Sequence, residues 1–106
     1  MAFKAAVVVM APDADPAKHQ TSIKTNKLES TMVFVPLMDF ERAAQVCRDL
    51  VQKEGVQSII LCPGFTSAAV SMVASAVGEG VPINVARGDV PSVLATSGIL
   101  AREGWF

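Results

Sequence analysis

The sequence predicts a single α/β domain built on a mainly parallel sheet, and three observations carry that expectation. Residues 3–10 and 56–61 form apolar, β-prone runs of the kind found in strands buried on both faces. Residues 39–55 carry the clearest helical periodicity in the chain. The order strand, long polar stretch, strand, helix, strand, helix, strand implies right-handed crossovers, and these make neighbouring strands parallel. With 106 residues, 51% of them hydrophobic and 18% charged, the chain suits one domain spanning residues 1–106 and leaves no room for a second.

The first strand, residues 3–10, stops at Ala11-Pro12-Asp13. Residues 13–30 are polar, and about 18 residues is long for a connection in a compact domain, so a lid or contact arm is expected there. Asp15-Pro16 can open one short helical turn, since Pro suits the first helical position. Residues 31–37 read as a second strand, with Pro36 at its end because proline has no N–H for the ladder.

Asp39 is a good N-cap for the helix that follows, and Phe40, Ala43, Ala44, Cys47, Leu50 and Val51 recur at helical spacing. Arg48 and Lys53 fall on the opposite side, towards solvent, and Gly55 supplies the left-handed stop. Residues 56–61 form the third strand, with Ile59-Ile60-Leu61 suggesting burial on both faces. Cys62-Pro63-Gly64-Phe65 turns the chain, and Thr66 or Ser67 caps a second helix that runs to about Val77 and ends at Gly78 and Gly80. Residues 81–86 alternate like an edge strand, with Val81, Ile83 and Val85 inward. Residues 87–106 read as mixed, with room for one short helix, and close on Trp105-Phe106.

These elements describe a four-stranded, mainly parallel sheet flanked by helices, of flavodoxin-like or half-Rossmann type. A ferredoxin-like α+β fold is the alternative. That fold places a helix between its first two strands and a hairpin between the next two, whereas here a helix separates the second and third strands.

The formal net charge is −1 and the basic residues are scattered among acids, so no basic stripe offers itself to nucleic acid. No stretch approaches the roughly 20 apolar residues of a membrane helix. The opening apolar run is short and meets Asp13 and Asp15 without a cleavage site, so it reads as a strand and not as a signal peptide. Two separated cysteines suit a reducing compartment, and a cytoplasmic location is expected.

In a parallel sheet ligands gather outside the carboxyl ends of the strands. That rule would bring together Pro12 and Asp13, the turn with Gly64 and Phe65, and Arg87 with Asp89, under whatever part of the long polar stretch folds over them. Free N–H groups at the start of the helix after Gly64 favour an anion, and the dipole behind them would activate the Cys62 thiol. Cys62 also reads as a small apolar residue closing a buried strand. His19 is the only histidine, so an imidazole base, if there is one, is this residue; it also reads as an exposed loop side chain. Arg87 would clamp a carboxylate or phosphate, with Asp89 as partner or rival. No dinucleotide, Walker, paired-cysteine or nucleophile-elbow motif is present, so neither a cofactor nor a metal is expected.

Three segments, Met10-Ala11-Pro12-Asp13, Asp15-Pro16-Ala17-Lys18-His19 and Leu61-Cys62-Pro63-Gly64-Phe65, resemble an uncharacterised family of small bacterial and archaeal α/β proteins of about 100 residues. The resemblance runs to Arg87. It implies a compact α/β fold and a prokaryotic source, and it carries no activity or catalytic residue.

Two functions follow as expectations. One is a binding protein or small enzyme holding an anionic metabolite at the strand ends; the alternative is a non-catalytic oligomeric accessory or structural subunit. Self-association, as a dimer or larger homo-oligomer, is expected. Met72, Ala76, Val73 and their neighbours spread over about 200°, twice the stripe one core requires, unless the tail folds back over them.

Overall fold

The computed structural model describes residues 1–106 as five strands and three helices. In chain order these are β1 (Phe3–Ala11), β2 (Gln20–Lys24), β3 (Leu28–Pro36), α1 (Phe40–Glu54), β4 (Ser58–Leu61), α2 (Ser67–Val77), β5 (Ile83–Val85) and α3 (Ser92–Arg102). The sheet runs β2-β3-β1-β4-β5. Strands β3, β1, β4 and β5 are mutually parallel and β2 is antiparallel to β3, so the sheet is mixed and has five strands where four were expected.

The fifth strand comes from the polar stretch at 13–30, which is mostly a hairpin and not a lid. Every residue of β2 is exposed, so the stretch lacks the apolar alternation that betrays a half-buried strand. Its turn is closed by Thr25, whose Oγ1 accepts from the N–H groups of Lys27 and Leu28. Beside this turn Lys24 and Lys4 flank Glu29, with Lys24 Nζ 2.9 Å from its carboxylate. The Lys24 hydrogen bond, opposed by desolvation, holds the Glu29 carboxyl below its ordinary range.

Helix α1 forms where the periodicity places it. Asp39 accepts from the Arg42 N–H at 3.0 Å, Gly55 takes the left-handed conformation at φ 73°, and Arg48 and Lys53 are exposed. Thr66 caps α2 through the Ala69 N–H. Strand β5 is shorter than residues 81–86, and Val85, on the core side beside Leu61 as expected, is still 43% exposed because β5 is the edge strand.

The core lies between one sheet face and the pair α1 and α2. Ala6, Val8 and Met10 of β1, Val33 and Val35 of β3, and Ile59 and Leu61 of β4 are buried there with Cys47, Leu50 and Val73 of the helices. The opposite face has no such cover. The residues between them in sequence, such as Phe3, Met32, Phe34 and Ile60, remain 38–49% exposed, although β1 and β4 had both read as strands covered on two sides.

Chain path explains the difference. Connections β3-α1-β4 and β4-α2-β5 move across the sheet in one direction, and right-handed crossovers place both helices on one face. The step from β1 to β3 moves the other way, and a helix there would cover the second face. That position in the chain is taken by β2, which extends the edge of the sheet and covers neither side. The helical cover on both faces that a flavodoxin-like domain would carry is therefore absent from this chain.

Candidate functional site

The direction of chain travel reverses between β1 and β4, which are adjacent and parallel, and this is where an open α/β sheet has its ligand crevice. Two turns meet at that edge. The Ala14 N–H donates to the Ala11 carbonyl after β1, leaving Pro12 and Asp13 exposed, and the Phe65 N–H donates to the Cys62 carbonyl after β4. The loop after β5 joins them: a Cβ on Gly88 would lie 3.3 Å from Pro63 and 2.8 Å from Val93, so this loop presses on the turn and on the start of α3.

The predicted side chains divide at this edge. Gly64 permits close approach, but to Met10, whose methyl would sit 2.8 Å from a Cβ built there. Phe65 is buried, its ring 5.8 Å from that of Phe40, and it serves the core. Arg87 Nε donates to Asp89 Oδ1 at 2.6 Å, and both side chains are exposed. Asp89 is therefore the internal partner of Arg87.

His19 lies elsewhere. Its backbone is bound to Asp15 and Phe34, and its Nδ1 accepts from the Asp15 N–H at 2.8 Å, which puts the ring proton on Nε2. This ties the imidazole to the β2 end of the sheet. Cys62 follows β4, three strand spacings away, or about 14 Å at 4.8 Å per strand. Cys62 and His19 do not form a nucleophile and base pair.

The two thiols differ sharply. Cys47 is fully buried, and desolvation pushes its thiol up to about 12. Cys62 is half-buried beside the open turn. At pH 8 the thiolate fraction of Cys47 is below about one in a thousand. Iodoacetamide is therefore expected to alkylate Cys62 in the native protein and Cys47 only after denaturation. Mass spectrometry of the labelled peptides checks this, and equal native labelling would contradict the burial.

No three His, Cys, Asp or Glu side chains come together to hold a metal ion. The principal cavities lie away from the strand ends. A shallow groove of about 490 Å³ separates α1 from α2, one of about 330 Å³ runs between α1 and β2, and a polar cleft of about 290 Å³ sits at the opposite edge beside Lys4, Glu29 and Lys53.

The family model that fits this chain covers residues 3–99, nearly all of the fold just described. The chain belongs to the family of unknown function DUF6506. The family match extends beyond Arg87, where the sequence resemblance stopped, and takes in most of α3, so that helix is part of the DUF6506 unit. No curated protein matches the chain, and no solved structure does. No helix is long and apolar enough to cross a membrane.

The feature that sequence reasoning missed is the uncovered sheet face. It carries Phe3, Val7, Met32, Phe34 and Ile60 with no charged side chain among them or their same-face neighbours Ala5, Val9, Thr21, Ile23 and Ser30. A signal was present. Continuous apolar runs call for two covers, and the chain holds only two well-formed apolar helices before its last twenty residues, both of which right-handed crossovers send to one side.

Proposed function

We propose that this DUF6506 chain is a self-assembling subunit, a homo-oligomer held together through its uncovered sheet face. One observation carries the reading: a broad apolar, charge-free sheet face stands opposite a complete core. Exposed apolar patches larger than a few hundred Å² mark contact sites in proteins of this size. The strand ends support a binding or structural role over a reaction, because Arg87 is engaged by Asp89 and His19 stands apart from Cys62. Light scattering at micromolar concentration tests the reading. A multiple of the 11.1 kDa chain mass is expected, and the mass of a single chain would overturn it.

A second reading is favoured by strand order. The parallel strands run β3-β1-β4-β5, the order of a flavodoxin-like half, and the crevice between the turns after β1 and β4 suits a small anion held by N–H groups at the start of α2, with Arg87 released from Asp89. On this reading millimolar phosphate or a dicarboxylate raises the melting temperature, and Arg87→Ala removes the rise without unfolding the free protein. A ligand at 100 times its dissociation constant adds about 2.7 kcal/mol, a shift of several degrees in a domain of this size. An unshifted melting curve across the anion series leaves assembly as the only function.

A further inference from the structure

We propose that two copies of the chain join by exchanging α3, the helix of each seating on the uncovered sheet face of the other in a two-fold dimer. The inference rests on the assembly reading and adds the occupant of the face.

The helix is as unsatisfied as the sheet. No residue of α3 is buried, Leu94 is 66% and Ile99 48% exposed, and beyond the helix Phe106 is 75% exposed. Its only charge is Arg102, in the last turn. At 100° per residue Val93, Leu94, Ser97, Leu100 and Ala101 fall on one side, a mainly apolar stripe of the kind a helix lays on a sheet.

Within its own chain α3 packs against no other element extensively. The loop before it is pinned to Pro63 at the carboxyl edge of the sheet, and the molecule is elongated, 42 Å along one axis against 29 and 27 Å.

Chemistry selects the partner. A nucleic acid or a charged peptide needs charge on the face it docks to, and neither surface has any beyond the opposed pair Arg102 and Glu103 at the end of the helix. Each requires an apolar counterpart, and this chain carries one of each. The sizes agree, since an 11-residue helix is about 16 Å long and a five-stranded sheet about 20 Å wide. The face and residues 90–106 hold apolar side chains left 38–76% exposed, an area comparable with the roughly 800 Å² that each partner contributes to a standard stable interface. A two-fold axis lets the helix of each copy meet the face of the other, so one contact is made twice and the assembly closes.

Two differently tagged chains test the exchange, both in a Cys62→Ser background, one with Met32→Cys on the sheet face and the other with Leu94→Cys on α3. After co-refolding, a long flexible bismaleimide is expected to give a product carrying both tags. A chain bearing both cysteines that links only within itself would show α3 folding back onto its own sheet and overturn the proposal. Leu94→Glu is the companion variant; Leu94 is exposed in the single chain, so the fold survives. It should weaken dimerisation by about 100-fold or more, as expected of a charge placed in a desolvated interface. An undiminished Leu94→Glu dimer without cross-tag linkage rejects the exchange while leaving a sheet-face oligomer intact. A wild-type chain that scatters as a monomer rejects both.

Discussion

Leu50→Asp is expected to leave the chain unfolded at 25 °C. Leu50 is 3% exposed on the core side of α1, and its carbonyl also receives the Gly55 and Val56 N–H groups that end the helix. Truncation to alanine alone costs about 2–5 kcal/mol at such a site, from lost transfer energy and the cavity left behind. An aspartate adds a carboxylate with no cation in the cluster around it, whose other members are all apolar. A domain of this size has about 5–15 kcal/mol in total, so the sum reaches or exceeds what is available. Far-UV circular dichroism and urea titration give the answer. A cooperative transition near the wild-type midpoint would show that α1 does not close the core as described.

The double change Met32→Glu and Phe34→Glu is expected to convert an oligomer to monomers while the fold persists. Both side chains lie on β3 in the middle of the uncovered face, paired with Val7 and Val9 of β1, and both are about 40% exposed in the single chain. In the monomer the new carboxylates reach water, and each costs little beyond the apolar contact it gives up. In a closed interface two like charges would lie two residues apart without partners, a penalty of several kcal/mol. Light scattering should move from a multiple of the chain mass to a single chain, with the helical signal retained. Met72→Glu on α2 is the control and should leave the mass unchanged. If instead the Met72 variant dissociates and the β3 variant does not, the contact lies on the helical side.

The Met72 control bears on how the sequence expectation fared. An apolar arc of about 200° had pointed to α2 as the contact surface. In the fold Ala69 and Val73 are buried and Val70, Ala76 and Val77 are half-buried against the core, so most of that arc is used inside the chain. What remains is Met72, at 38% exposed, and the small Ala74. The larger uncovered surfaces are the sheet face, of which β1 and β4 had read as buried on both sides, and α3, in a tail whose pattern had read as mixed.

Features that depend on neighbouring residues were legible from the sequence alone. Helix α1 runs from its Asp39 cap to the left-handed Gly55, Thr66 opens α2, Cys47 is core, and parallel strands follow from the alternation of strand and helix. Each rests on a periodicity, a cap or a crossover rule, and none needs to know where a distant segment has gone. The tertiary structure alone decided the rest. β2 pairs at an edge and buries nothing, which no hydrophobic pattern can announce. His19 and Cys62 are separated by the strands inserted between them, and Arg87 is met by Asp89 before any ligand. Above all, apolar side chains on both faces of β1 record that two covers are needed, but which cover the chain supplies depends on the path of its first crossover. That path passes along the sheet edge, and one face is left open.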